Sequence, residues 1–194
     1  ARNSTFEETT WLLWNGRLPL AYELADFSKQ LQAEYNVDPR MIDVIRALPR
    51  TAAPMDALRT LVSALAHFDV EADDPSPAAN QRKALRLVAK TPTLIANFNR
   101  YRKGKPIVSP DSTLTLAQNF LWMLTGALPT VAMSRALDVC LVLHADHGLN
   151  ASTFAARVTI ATQSDMYSAA TSAVGTLKGP LHGGANQEVM EMLL

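Results

Sequence analysis

Several features are scarce or balanced in this sequence of 194 residues, and each narrows what the protein can be. Cys140 is the only cysteine, so no disulfide can form within the chain, which fits a reducing compartment. Lys and Arg number 18, as do Asp and Glu, so net charge favours neither nucleic acid nor an anionic membrane as a partner. Arg135 and Asp138 interrupt the most apolar stretch, and no apolar signal core follows Ala1. The predicted location is therefore the cytoplasm.

Strand signals and repeats are also missing. No stretch alternates polar and apolar residues for long enough to predict a strand, and no internal repeat is present. Apolar residues instead recur at helical spacing between proline and glycine breaks, which predicts one all-α domain. Pro92 lies within one such run and predicts a kink there or a break after Lys90.

Three side-chain environments can be predicted from these helical runs. Cys140 lies within an apolar run, so we expect a buried and inert thiol. His67, beside Phe68 at the end of another run, is expected at the edge of the core. The basic cluster of Arg100, Arg102, Lys103 and Lys105 fits a solvated helix end, with a phosphate contact to a cofactor as the alternative.

The last quarter of the chain carries three of the four histidines, in two segments. The first reads LHADHGLNAST from Leu143, and the second reads GPLHGGANQE from Gly179. Gly148 suits the position after a helix that ends at His147, and Asn150 suits the cap of the next helix.

In the second segment Gly179 and Pro180 break a helix, which places His182 just before the next helix N-terminus. The pair Gly183 and Gly184 predicts a close approach of the backbone to a ligand.

These positions predict different charge states for the two imidazoles. The positive end of a helix dipole disfavours a charged ring, so His182 is expected to be neutral and able to donate a hydrogen bond to a carbonyl becoming an enolate. The negative helix end expected at His147 favours the charged ring, which suits an oxo-acid substrate. A metal site at His144 and His147, which share a helix face, is disfavoured because no third ligand has suitable spacing.

The two histidine segments resemble those of the citrate synthase family, which includes 2-methylcitrate synthases. The resemblance covers most of the chain in the same order. It includes WLLWNGRLP, PMDALRTLVSALAHFD, AKTPTLIANFNRYRKGKPIVSP and LTLAQNFLWMLTG. The implied fold is the multi-helical large domain of that family, with residues 1–194 forming part of it. The smaller CoA-binding domain and the C-terminal part would then be absent.

The resemblance also implies a reaction and the residues that perform it. Acetyl-CoA and oxaloacetate would condense to citrate and CoA, with no metal or redox cofactor. His182 matches the histidine that hydrogen-bonds the thioester carbonyl, and His147 matches one that binds oxaloacetate. His144 would be a neighbouring substrate-binding group, while Ser152, with Asn150 beside it, would support the catalytic histidine. The family's catalytic aspartate and substrate-binding arginines have no match here, so residues 1–194 are predicted to be inactive alone.

Two alternatives remain open from the sequence. One is a 2-methylcitrate synthase that uses propionyl-CoA, since no residue reports on the size of the acyl pocket. The other is a non-catalytic helical dimerisation scaffold. The family implies a homodimer, which small residues between Asn150 and Leu177 would permit.

Overall fold

The computed structural model describes residues 3–183, and every regular element within them is helical. The elements are α1 (Phe6–Asn15), α2 (Ala21–Ala33), α3 (Pro39–Ala47), α4 (Pro54–Leu65), a 3₁₀ turn (Ala66–Phe68), α5 (Pro77–Arg102), α6 (Leu116–Thr125), α7 (Val131–His144), α8 (Ala151–Ala161) and α9 (Met166–Leu177). The all-α prediction is therefore confirmed for the described residues. None of these helices has both the length and the apolar character needed to cross a bilayer.

Local signals set most of the helix ends. Thr5 caps α1, and Glu8 returns a hydrogen bond to the Thr5 backbone, which together form a capping box. Gly16 and Gly126 end α1 and α6 in the left-handed conformation, with φ of 72° and 82°. Pro54 begins α4, where its missing N–H costs no helical hydrogen bond.

Helix α5 organises the core because it packs against α2, α3, α4, α6 and α9. Two apolar clusters meet along it. The first joins α3, α4, α5 and α9 through Met41, Ile45, Ala57, Leu61, Leu65, Leu94, Phe98 and Tyr167. The second joins α2, α5 and α6 through Phe27, Leu31, Tyr35, Leu85, Ala89 and Leu116.

Helix α5 continues through Pro92, so the predicted break after Lys90 is wrong. Proline removes one helical hydrogen bond donor. However, Ala89 and Leu94 are buried on either side, and the Thr93 hydroxyl donates to the Tyr35 carbonyl at 2.8 Å. These tertiary contacts hold the helix together across the proline.

Three predicted environments also differ from the structure. Cys140 is exposed, because α7 buries Ser134 and Asp138, and Cys140 lies two residues, or about 200°, around the helix from Asp138. His67 is exposed in the 3₁₀ turn rather than packed at the core edge. Arg100 is buried and donates from Nε to the Pro106 carbonyl, so it does not belong to the solvated helix end formed by its basic neighbours.

The loop before α5 is fastened by charged side chains. Arg86 pairs with Asp69 at 2.8 Å and with Glu71 at 2.7 Å. The Tyr167 hydroxyl on α9 donates to Asp69, so this group of contacts also fixes the start of α9. Buried Lys83 donates to the Ala72 and Asp74 carbonyls at 3.1 and 2.6 Å, which gives its ammonium group hydrogen-bond acceptors inside the protein.

Aromatic contacts join α1 to α2. Trp11 and Trp14 both lie edge-on to Phe27, with ring centroids 5.7 Å apart in each pair. The third tryptophan, Trp122 on α6, donates from its indole nitrogen to the Ser109 carbonyl at 3.1 Å.

Candidate functional site

The loop between α7 and α8 carries His147. Helix α7 ends at His144, so the prediction that His147 lies at the helix end is wrong. The Asp146 carboxylate accepts the Gly148 N–H at 2.9 Å. The Gly148 N–H therefore bonds to a side chain two residues earlier, in a local turn, and not to a helical carbonyl. Gly148 has a φ of 61°, so its left-handed conformation belongs to this loop.

Asn150 caps α8, as predicted. Its Oδ1 accepts the Thr153 N–H at 3.0 Å, which satisfies one of the free donors at the helix start. Ser152 consequently lies in the first turn of α8, with its side chain half-buried. This cap determines where the Ser152 hydroxyl is presented.

The turn after α9 carries His182. Helix α9 ends at Leu177, and the His182 N–H donates to the Gly179 carbonyl at 2.9 Å, which confirms a helix break at Gly179. A Cβ on Gly183 would lie 2.3 Å from the Leu177 carbonyl oxygen. The missing side chain therefore lets the turn fold against its own helix end. The predicted helix after His182 lies outside the described residues.

Ser152 and His182 meet although 30 residues separate them. Ser152 Oγ lies 2.7 Å from His182 Nε2 and 3.0 Å from the Ala173 carbonyl oxygen. A hydroxyl has one proton, so it donates to one of these acceptors at a time. If it donates to Nε2, a neutral His182 carries its proton on Nδ1, which is then the free donor of the ring. If the hydroxyl instead donates to the Ala173 carbonyl, Nε2 carries the ring proton and donates to Ser152, which leaves Nδ1 as an acceptor.

Helices α8 and α9 pack against each other. The Thr159 hydroxyl donates to Ser172 at 2.8 Å, and Ser152 contacts the Ala173 backbone. The contact between Ser152 and His182 shows that the start of α8 and the turn after α9 lie at the same end of this helical pair. The loop with His147 leads directly into that end.

The other two histidines of the site are exposed. His144 Nδ1 lies 2.7 Å from the Cys140 carbonyl, so the ring donates from this nitrogen. His147 makes no hydrogen bond with another residue of the range 3–183. In the same range, no three His, Cys, Asp or Glu side chains come together as metal ligands.

One ion pair near His182 was not predicted from the sequence. Lys178, which caps α9, places its Nζ 2.6 Å from Asp56 Oδ1 in the first turn of α4. This hydrogen bond lowers the pKa of Asp56, with a smaller contribution from the positive charge of Arg59. The two residues are 122 positions apart, so no local spacing signals the pair.

The fold and the site define an all-α protein in which a serine hydroxyl supports a histidine at a helix junction. The structure of citrate synthase from Pyrobaculum aerophilum superimposes with a TM-score of 0.90 and 41% identity, covering 96% of this chain and 49% of that one. A ternary complex of citrate synthase from Thermoplasma acidophilum with carboxymethyl coenzyme A and oxaloacetate gives a TM-score of 0.89 and 31% identity. It covers 94% of this chain and 48% of that one.

Sequence comparison agrees with these structures. The family described as citrate synthase, C-terminal domain, matches residues 1–194, and the chain belongs to the citrate synthase family. Citrate synthase from Deinococcus radiodurans is 50% identical over 193 residues, which are 100% of this chain and 51% of that protein. A 2-methylcitrate synthase from Mycobacterium tuberculosis is 47% identical over 194 residues, 100% of this chain and 49% of that protein. The chain thus spans about half the length of these relatives.

Proposed function

We propose that residues 1–194 are part of the large domain of a citrate synthase that condenses acetyl-CoA with oxaloacetate. The observation that carries this proposal is the contact between Ser152 Oγ and His182 Nε2. The small CoA-binding domain and the catalytic aspartate of the family would lie outside these residues. Resemblance to a family that uses no metal or redox cofactor supports the same expectation here.

The proposed reaction assigns a role to each nitrogen of His182. Ser152 occupies Nε2, so Nδ1 is the nitrogen left to face a substrate. With the Ser152 proton directed to Nε2 instead of to the Ala173 carbonyl, a neutral ring donates Nδ1–H to the thioester oxygen. This donor stabilises the negative charge that develops when the methyl group of acetyl-CoA loses a proton. The resulting carbon nucleophile adds to the ketone of oxaloacetate, and water then cleaves the thioester to give citrate and CoA.

The proposal places His147 and His144 on the oxaloacetate side of the pocket. Both side chains are exposed, and they flank the loop that leads to Ser152. His144 is oriented by its bond to the Cys140 carbonyl, which leaves Nε2 available to a substrate. The ternary complex with oxaloacetate reported for the Thermoplasma relative supports this substrate assignment.

A condensation assay on the complete gene product that carries these residues tests the proposal. Thiol release is followed with acetyl-CoA and oxaloacetate for His182→Ala, His147→Ala and the matched control His67→Ala. Loss of the His182 donor is expected to lower kcat by about 10²–10³-fold, the effect of removing an oxyanion donor. His147→Ala should raise KM for oxaloacetate, and His67→Ala should change neither constant. Full turnover in His182→Ala would overturn the assignment.

2-Methylcitrate synthesis is the second candidate, because a relative of that name is 47% identical along the whole chain. The ratio of kcat/KM for acetyl-CoA to that for propionyl-CoA separates the two. One extra methylene in an apolar pocket changes kcat/KM by about 10–200-fold. We favour acetyl-CoA because relatives named citrate synthase from Deinococcus, Haloferax and Bacillus each reach 50% identity.

A cytoplasmic homodimer is part of the proposal. Helix α8 buries none of its residues within the described chain, and Phe154 and Val158 on it are exposed. An apolar surface of this kind is expected to be covered, either by the rest of the protein or by a second copy. The molar mass of the complete gene product in solution distinguishes a dimer from a monomeric scaffold.

A further inference from the structure

The turn that carries His182 is partly exposed, although His182 itself is half-buried. Leu181, its apolar side chain, is fully exposed. Within residues 178–183, the described side-chain hydrogen bonds and ion pairs to other elements come from His182 to Ser152 and from Lys178 to Asp56. These two polar contacts link the described part of the turn to α8 and to α4.

The two contacts hold opposite ends of the turn. Ser152 holds the His182 ring at Nε2, whereas Lys178 joins the backbone at the start of the turn to α4. Between them, the hydrogen bond from the His182 N–H to the Gly179 carbonyl closes a tight turn. Only residues 179–181 lie between Lys178 and His182 in the sequence.

The position of Asp56 on α4 suits it to hold the Lys178 ammonium group. It lies in the first turn of α4, where the helix dipole favours a carboxylate. Arg59, one turn along, also approaches Asp56 at 3.4 Å, and its Cδ would lie 3.6 Å from a Cβ on Gly175 of α9. Helices α4 and α9 are thereby in close contact where the ion pair forms.

We propose that the ion pair between Lys178 and Asp56 positions His182 for the thioester contact. This inference rests on the proposed function, because it concerns the same histidine. Lys178 and Asp56 act through the turn and through Ser152, so they are positioning residues. Loss of the pair should leave the fold intact and weaken the preference for the ring orientation that Ser152 supports.

The direct test measures the protonation of the His182 ring in the complete gene product without substrate. Nitrogen NMR of the imidazoles, with His182 assigned by substitution, reports which ring nitrogen carries the proton. Asp56→Asn is expected to change the ratio of the two neutral forms by up to about five-fold, the range set by an exposed ion pair. Asp56→Glu should restore the signal, and Lys178→Gln should reproduce the effect of Asp56→Asn.

A matched control exists in the exposed pair of Asp43 and Arg46, whose nearest charged atoms lie 3.4 Å apart on α3. Asp43→Asn removes a similar charge away from the turn and should leave the His182 signals unchanged. Signals in both Asp56→Asn and Lys178→Gln that match those of the unmodified chain would overturn the proposal. Urea unfolding of each variant shows whether a change in the ring reflects positioning or partial unfolding.

A kinetic measurement on the complete gene product separates this inference from the proposed function. Asp56→Asn should lower kcat by up to about five-fold with KM for oxaloacetate unchanged. An altered KM with normal kcat would contradict a positioning role. If the parent protein shows no condensation at all, the proposed function fails, whereas the NMR result still decides whether the pair positions the ring.

Discussion

The α3–α5 region, into which Tyr167 of α9 also packs, and helix α8 are stabilised in different ways. In the first region Met41, Ile45 and Leu61 have no exposed surface, and they pack into one apolar cluster. Helix α8 buries no residue, and polar contacts such as that of Thr159 with Ser172 join it to α9. The histidine turn is attached to this second region.

The two regions are expected to contribute differently to stability and to the candidate site. Burial of apolar surface supplies most of the stability of a domain, so the α3–α5 region should set the free energy of unfolding. Helices α8 and α9 bring Ser152 and the turn with His182 together, and the apolar side chains of Phe154 and Val158 on α8 are exposed. We therefore expect substitutions in the two regions to affect different measurements.

The strongest way to test this comparison is to remove apolar side chains from both regions. Leu61→Ala should lower the free energy of unfolding by about 2–5 kcal/mol, since it leaves a cavity in the core. Val158→Ala on half-exposed α8 should cost less than about 0.5 kcal/mol. Urea unfolding measures both. Equal costs would mean that α8 contributes to stability as the core does.

Helix caps provide a second test with a smaller effect. Asn150→Ala removes the cap of α8 and should cost about 0.5–2 kcal/mol of helix stability. Thr115→Ala removes the matched cap of α6, which packs on the core. Hydrogen exchange should quicken only in α8 and its neighbours for Asn150→Ala, but across the core for Thr115→Ala. The same pattern in both variants would remove the distinction between the regions.

The smallest predicted effect concerns acid unfolding. The ion pairs of Glu71 should make the free energy of unfolding depend on pH in the acid range and not near neutrality. Hydrogen bonds from Arg82 and then Arg86 lower the pKa of Glu71 from its ordinary 4.5 to about 2. The folded-state pKa is depressed, so this stabilisation is present above 4.5 and is lost as the pH falls toward 2. Glu71→Gln should therefore flatten the fall in unfolding free energy across that interval. An unchanged slope would show that these ion pairs do not couple folding to pH.

The sequence predicts the helices well because their ends depend on local chemistry. Gly16 and Gly126 occupy left-handed positions, and Asn150 caps α8 through its own side chain. Wrong predictions arise where distant contacts decide the outcome. Cys140 is exposed because the buried face of α7 carries Asp138, and that carboxylate accepts the Phe6 N–H from across the chain.

The site was only partly predictable for the same reason. Resemblance to the family selects Ser152 and His182, and the structure places the two side chains in contact. Their roles stay predictions, as does the role of His147. The ion pair between Lys178 and Asp56 could not be predicted from the sequence, because no local motif around either residue identifies a partner so far away along the chain.

The positions of the three indole rings have a practical consequence. Trp11 and Trp14 lie on α1 and Trp122 lies on α6. Intrinsic tryptophan fluorescence therefore reports on α1 and α6 rather than on the histidine turn. An optical titration with a substrate could remain silent even when the substrate is bound. A tryptophan introduced at Phe154, on the exposed side of α8, would give that end of the molecule its own fluorescent signal.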